Sequence, residues 1–232
     1  MTEKIKTLLF LLEMQRQEEA KALYGQVIEE LGLKANAPVG SIAPGLPDQK
    51  HDDLSLRQYL TLANVASYFK EDNVAETLLE ECYNRWPEDV GCMIELAYIY
   101  KKLGKYSKSE LMYRAALSYE NDNEVAVREL GLLYMETERP LEALCWFHRL
   151  LRLCPVNPIG YFLASEALER LGKKERSRKY LLSSIVMNNA LKEPVLHFTN
   201  NDLFIHRLGE SVSTVELLES RDVIEEWLGG NR

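Results

Sequence analysis

The apolar and small side chains of residues 56–191 recur every 34 residues. Leu96 falls on Leu130 and Tyr113 falls on Phe147 when the chain is shifted by one period. One period earlier the same positions hold Leu62, Ala63, Ala66, Ala75, Leu79 and Cys82, and one period later they hold Ala164, Ser165, Leu168, Ser177, Leu181 and Ser184. A period of this length is typical of a solenoid in which each unit is one small helical motif.

Polar side chains that cap helices recur at the same interval. Each can accept hydrogen bonds from the backbone N–H groups of a helix's first turn, and they are predicted N-caps: Ser55, Asp89, Asn123 and Asn157. Gly104 and Gly172, two periods apart, mark the point inside a unit where the chain must leave the helical conformation. Each unit is therefore predicted to be a helix, a short turn and a second helix.

One unit carries a family pattern. Residues 124–157 have an ordered set of small, aromatic and turn residues at fixed spacings: Leu130, Gly131, Tyr134, Ala143, Phe147 and Pro155. This pattern resembles the tetratricopeptide repeat, and the resemblance covers residues 56–191 and, more loosely, residues 1–34. The tryptophan that leads the family's pattern is absent, and its positions hold Tyr59, Met93, Val127 and Tyr161.

The resemblance implies an all-α fold, a right-handed α-solenoid of antiparallel helix pairs with helical caps at both ends. Residues 1–34 are predicted to form a degenerate helical hairpin, or alternatively plain N-terminal capping helices. Residues 35–55 contain Pro38, Pro44 and Pro47 and are predicted to be an insertion, either a flexible connection or a regulatory loop that binds a partner.

Four repeats are then predicted over residues 56–191, followed by capping helices at residues 192–232. A solenoid needs such a cap because its last repeat exposes a hydrophobic face. The alternative for this apolar C-terminal segment is that it folds back into the groove of the solenoid.

Composition limits the classes of partner. The chain has 232 residues, 46% of them hydrophobic, and a formal net charge of −8, which disfavours a general affinity for nucleic acid. The apolar run from Leu8 to Leu12 is too short to span a bilayer. Four cysteines without a CxxC pair and without an export signal predict reduced thiols in a cytoplasmic protein.

The sequence lacks a recognisable set of catalytic or metal-binding residues, which predicts a protein that is not an enzyme and has no cofactor or metal. Cys145 and His148 share a helical face, but two ligands are too few for a zinc site. The acidic run at residues 120–124 lacks the glycine and distal glutamate of a calcium-binding loop. The sequence has no glycine-rich phosphate loop and no nucleophile elbow.

Basic residues concentrate at the turns of two units. The first group is Lys101, Lys102, Lys105 and Lys108, and the second is Arg170, Lys173, Lys174, Arg176, Arg178 and Lys179. Two hypotheses fit them equally: an edge that docks an acidic partner, or solvated turns balanced by nearby carboxylates.

In the tetratricopeptide family the first helix of each unit lines a concave groove. Counting from each predicted cap gives the groove residues Leu60, Asn64, Tyr68, Ile94, Tyr98, Lys102, Arg128, Leu132, Met135, Phe162, Glu166 and Arg170. Apolar and aromatic groups dominate this set. The family's clamp for acidic chaperone tails is disfavoured, because Leu60 stands where a lysine is needed and Glu95 where an asparagine is needed.

The sequence therefore predicts a protein–protein interaction scaffold that binds a peptide or an amphipathic helix of another protein through apolar anchors. One alternative is a cytoplasmic chaperone resembling those of the type III secretion translocators. Another is a structural assembly subunit that acts through its ends, with homo-oligomers formed through terminal helices.

Overall fold

The computed structural model describes residues 1–33 and 54–190. These residues form helices and no strands, so the expected all-α class is confirmed. The helices are α1 (Thr2–Glu13), α2 (Gln17–Glu30), α3 (Leu56–Tyr68), α4 (Asp72–Arg85), α5 (Val90–Lys102), α6 (Tyr106–Tyr119), α7 (Glu124–Glu136), α8 (Pro140–Leu153), α9 (Pro158–Arg170) and α10 (Lys174–Ala190). The predictions for residues 35–53 and 192–232 lie outside the described residues.

Contacts divide the chain into two units, residues 1–120 and residues 121–232. In the first unit α1 pairs with α2, α3 with α4, and α5 with α6, while α4 also contacts α5. In the second unit α7 pairs with α8 and α9 with α10, while α8 also contacts α9. Consecutive helix pairs within each unit thus stack as the 34-residue period predicts.

The predicted caps are confirmed. Asp89 Oδ1 accepts from the backbone N–H of Cys92 at 2.7 Å, and Asn123 Oδ1 accepts from that of Ala126 at 3.0 Å. At α9, Asn157 Oδ1 accepts from Ile159 N at 3.0 Å. At α3, Ser55 is the N-cap of a capping box, in which the Gln58 side chain accepts from the backbone N–H of Ser55 at 2.8 Å. Each bond satisfies an N–H that the first helical turn leaves without an intrahelical acceptor.

The turn inside each helix pair uses one residue with a left-handed backbone. Gly104 and Gly172 have φ angles of 70° and 71°, as the sequence predicts. The same position is filled by Lys70 (φ 62°) and Glu138 (φ 56°), and Gln15 (φ 57°) serves the α1–α2 turn. Non-glycine residues pay a steric penalty here that glycine avoids.

Small residues in the core let paired helices approach closely, and buried serines are satisfied there. Ser109 Oγ donates to the carbonyl of Ala97 at 2.8 Å, and Ser177 Oγ donates to that of Ser165 at 2.9 Å. These bonds join the two helices of a pair at equivalent places, one in each unit. The serines of the last repeat are therefore accommodated by the fold, since a buried hydroxyl costs little when it has a partner.

The N-terminal helix pair is fastened to the next pair by polar and aromatic contacts. The Tyr24 hydroxyl on α2 donates to Glu71 Oε2 at 2.8 Å, and its ring lies 5.1 Å from that of Phe69, centroid to centroid. Gln58 Nε2 on α3 donates to Thr2 Oγ1 at 2.8 Å. These contacts bring α1 alongside α3 and so form one edge of the site described next.

Candidate protein-binding face

The first helices of the first unit, α1, α3 and α5, lie side by side and place one side chain each at an equivalent exposed position. Asn64 and Tyr98 are one period apart. Leu9 on α1 is the counterpart of Asn64 on α3. The two residues are as far apart in sequence as Ala20 on α2 and Ala75 on α4, which are equivalent core positions. Leu9 is 39% exposed and Tyr98 is 41% exposed. This row belongs to the surface that the sequence predicts as a binding groove.

A concave pocket opens between α1 and α3, with a volume of about 350 Å³. Its lining is mostly apolar, with one amide and two hydroxyls: Leu9, Leu12, Thr61, Asn64, Val65 and Tyr68. We call it the α1–α3 pocket. Its rim includes the Tyr68 side chain, which is 55% exposed and whose hydroxyl accepts from Gln17 Nε2 at 3.0 Å. Open apolar concavities with few polar groups are typical of peptide and ligand sites.

The groove residues predicted in this unit lie on α3 and α5, and two of them, Asn64 and Tyr68, line the pocket. Leu60 and Ile94 are half-buried, while Asn64, Tyr68 and Tyr98 are exposed. The Lys101 ammonium lies 5.4 Å from the centroid of the Tyr98 ring. Aliphatic groups, aromatic rings and one amide are therefore the chemistry that this face presents.

Two charged groups near this face, Lys102 and Glu95, are paired or partly buried. Lys102 donates to Asp72 Oδ1 at 2.5 Å and to Ser67 Oγ at 2.7 Å, so its ammonium is held at the end of α5. Glu95 on α5 is half-buried, and burial raises the pKa of its carboxyl. A partner segment bound to this face would therefore contact mainly uncharged groups.

In the second unit the predicted groove residues are on α7 and α9. Leu132, Phe162 and Glu166 are half-buried, and Arg128, also half-buried, donates through Nε to Glu129 Oε1 at 3.2 Å. Met135 differs from the expectation, because it is only 7% exposed and contributes little to the surface. Arg170 is exposed and donates to the Met135 carbonyl at 2.9 Å and to Glu138 Oε1 at 3.2 Å.

Counting from the caps gives only two of the six pocket residues, Asn64 and Tyr68, and misses Thr61, Val65, Leu9 and Leu12. Leu9 and Leu12 lie in the N-terminal hairpin, where α1 has no side-chain cap and the insertion interrupts the period. The signal that finds them is the constant offset between equivalent core positions, such as Ala20 and Ala75. With that offset, Leu9 takes the same position as Asn64 and Tyr98.

The Cys145 and His148 pair shows no metal-site geometry. Cys145 is exposed, whereas the half-buried His148 places Nε2 at 3.4 Å from the Tyr180 hydroxyl, with the two rings stacked. Residues 1–33 and 54–190 contain no group of three or more histidine, cysteine, aspartate or glutamate side chains arranged to hold a metal ion. Over the same ranges, each helix is too short or too polar to cross a membrane.

Comparison with known proteins agrees with this architecture. Residues 90–123 match the family model of the tetratricopeptide repeat. No curated protein sequence matches significantly. Among solved structures, the chain is similar to MamA (TM-score 0.59, 13% identity, 77% of this chain and 92% of that one) and to MamA from Desulfovibrio magneticus RS-1 (0.56, 11%, 75% and 96%).

A third similar structure is that of PilF from Pseudomonas aeruginosa, with a TM-score of 0.57 and 14% identity over 97% of this chain and 87% of that one. At such identities the similarity shows the fold alone. The helix pairs, the caps and turns at a 34-residue period, and the family match lead to one conclusion: residues 90–123 form a tetratricopeptide repeat, and the described helices have the fold of a tetratricopeptide-repeat solenoid.

Proposed function

We propose that this protein is a non-enzymatic scaffold, and that the surface formed by α1, α3 and α5 binds a peptide or a helical segment of another protein. The α1–α3 pocket is the observation that carries the proposal. It combines an apolar concavity with an amide, Asn64, which can bond to a partner's backbone. The pocket accepts an aliphatic or aromatic side chain of the partner as an anchor.

The exposed rings beside the pocket support the same function. Tyr68 and Tyr98 stand on neighbouring first helices, and both are more than one-third exposed. Covering apolar surface releases roughly 25 cal/mol for each Å² removed from water, so these rings favour a bound state. Tyrosine also loses little conformational entropy when it is immobilised, which suits an interface.

The second unit, taken by itself, presents Leu132 and Phe162 on its first helices, with Arg128, Glu166 and Arg170 as polar neighbours, and we propose that this face also binds a partner segment. Four reduced thiols are consistent with a cytoplasmic location, which is part of the proposal. No step of this function needs a metal, a cofactor or a catalytic group.

The test uses peptides selected from a random display library against the full chain. Affinity is then measured by fluorescence anisotropy for Tyr68→Ala, Tyr98→Ala and Phe162→Ala. Truncation of a central anchor should weaken binding by about 1–3 kcal/mol, which is roughly fivefold to 150-fold. Peptides carrying a photoreactive group should also crosslink to α1 and α3.

Two tyrosines on α6 provide matched controls. Tyr106 is 40% exposed, like Tyr98, and Tyr119 is 54% exposed, like Tyr68. Both belong to the second helix of their pair, which does not line the α1–α3 pocket. Tyr106→Ala and Tyr119→Ala should leave the affinity within about twofold of the wild type.

A different result would assign the binding surface to another part of the chain. If the three groove variants bind normally while deletion of residues 192–232 abolishes binding in a folded protein, the C-terminal segment is the binding surface. A selection that yields no peptide, or peptides equally sensitive to the control variants, would contradict the proposal as a whole.

A further inference from the structure

A dense basic segment connects α9 to α10. Within ten residues the chain has six cations and one carboxylate, Glu175, although its overall formal charge is −8. The cations are Arg170, Lys173, Lys174, Arg176, Arg178 and Lys179. Lysines also concentrate at the corresponding turn of the first unit, between α5 and α6.

In the first unit the lysines form a ladder of ion pairs with α4. Lys102 Nζ lies 2.5 Å from Asp72 Oδ1, as described above. Lys105 Nζ lies 2.5 Å and 2.6 Å from the two carboxylate oxygens of Glu76, and Lys108 Nζ lies 3.5 Å from Glu80 Oε1. The three carboxylates occupy positions i, i+4 and i+8 of one helix and therefore share a face.

Arg170, Lys173 and Arg176 occupy the same ladder positions two periods later. The correspondence is structural as well as sequential, because α8, α9 and the start of α10 fall two periods after α4, α5 and the start of α6. Both turns pivot on a glycine with nearly the same φ angle. The second unit thus repeats the cationic side of the ladder.

The acidic side of the ladder is missing from α8. The positions that correspond to Asp72, Glu76 and Glu80 hold three residues without a carboxylate: Pro140, Leu144 and His148. Lys173 and Arg176 are exposed, and neither has an ion pair within the described part of the chain. Arg170 forms an ion pair with Glu138. The Glu138 side chain is 82% exposed, so this pair contributes little stabilising free energy.

We propose that Arg170, Lys173 and Arg176 form a docking surface for an acidic helix of another polypeptide. Its carboxylates would be spaced i, i+4 and i+8, as they are on α4, and would supply from outside the charges that α8 lacks. Lys174 and Lys179 widen the cationic surface and favour a partner with further carboxylates nearby. This surface is distinct from the α1–α3 pocket, and the inference does not depend on the proposed function.

A carboxylate-bearing helix fits this surface better than a nucleic acid does. The net charge of −8 repels an extended polyanion at long range, whereas a short acidic helix carries few charges. The ladder of the first unit also shows that carboxylates at i, i+4 and i+8 of a helix match the spacing of three cations placed as Lys102, Lys105 and Lys108 are.

The experiment measures binding of two labelled alanine-rich peptides to the full chain by fluorescence anisotropy at low salt. One peptide carries glutamates at i, i+4 and i+8, and the other has the same composition with the glutamates on different faces of the helix. We expect the first to bind several-fold more tightly, and Lys173→Glu/Arg176→Glu to weaken it roughly tenfold or more.

Two further variants separate this surface from general charge and from misfolding. Lys21→Glu/Arg57→Glu changes the net charge equally at exposed sites in the first unit and should leave the affinity within about twofold. Leu144→Glu places a carboxylate where Glu76 stands in the ladder, so it should compete with the peptide and lower its affinity. Circular dichroism confirms that each variant is folded.

Three outcomes would overturn the inference. The peptides could bind equally, or the Lys173→Glu/Arg176→Glu variant could bind as the wild type does. Alternatively, single-stranded RNA or vesicles of anionic lipid could bind this surface more tightly than the acidic helix at equal salt, which would assign it to a different class of partner.

Discussion

Gly131 on α7 lies directly against the ring of Phe147 on α8. A Cβ atom built on Gly131 would stand 2.4 Å from Cε1 and 2.8 Å from Cδ1 of that ring, closer than real side chains approach. Phe147 is fully buried, so the ring cannot move away into solvent. The absence of a side chain at Gly131 therefore sets how closely the two helices pack.

Gly131→Leu should consequently be severely destabilising, because the added volume forces the helix pair apart. We expect a loss of roughly 1–3 kcal/mol or more in the free energy of unfolding, measured as a lower urea midpoint. Gly25→Ala is the matched control, since a Cβ at Gly25 meets nothing within 4 Å and alanine favours a helix by roughly 0.5–1 kcal/mol. An unchanged midpoint for Gly131→Leu would remove this residue from the core.

Lys70→Gly should stabilise the protein. Lys70 adopts a φ of 62° at the position where Gly104 and Gly172 stand in other repeats. Relief of a left-handed backbone is worth roughly 1–2 kcal/mol, partly offset by the entropy that glycine adds to the unfolded chain. The net gain of up to about 1 kcal/mol appears as a higher thermal midpoint, whereas Lys70→Ala, which keeps the strain, should show no comparable gain.

The four thiols should differ widely in reactivity. Cys82 and Cys92 are buried, and a hydrogen bond between them together with burial raises the pKa of Cys92 above its usual range. Cys145 is exposed. Brief labelling of the native protein with a maleimide, followed by peptide mass spectrometry, should modify Cys145 first and Cys82 and Cys92 only after local unfolding. Cys82 is on α4 and Cys92 is on α5, so equal labelling of all four thiols would show that these two helices separate readily.

Stability should fall in mildly acidic solution because of His148. Burial, with Arg152 nearby, lowers the pKa of His148 below its ordinary value of 6.5. The unfolded chain then binds a proton at a higher pH than the folded chain does, so stability decreases as the pH falls below about 6.5 and levels off below the folded pKa. His148→Gln should reduce the drop in thermal midpoint between pH 7.5 and pH 5.5. An identical drop in both proteins would assign the effect to other groups.

The sequence predicts the repeat well because its signals are local. Asp89, Asn123 and Asn157 cap helices through their own side chains, and a glycine such as Gly104 reports a left-handed backbone directly. Lys70 and Glu138 adopt that same backbone without any local signal, since the rest of the repeat imposes it on them.

The candidate site is less predictable because it depends on which helices become neighbours. Leu9 and Leu12 line the α1–α3 pocket only because α1 packs beside α3 after an interruption in the period. Met135 shows the converse case. A count along one helix places it in the groove, yet surrounding side chains bury it. Helical spacing assigns a direction to a side chain, and the neighbouring elements then decide whether it reaches solvent.

The ion-pair ladder of α4 implies that salt acts in opposite directions on the two units. Dissolved ions screen the attraction between Lys105 and Glu76, which loosens the first unit, and they screen the repulsion among the cations around Lys173, which relaxes the second. Amide hydrogen exchange of α6 should therefore accelerate with ionic strength while that of α10 slows. Ionic strength therefore changes the ratio of the local opening rates of these two helices.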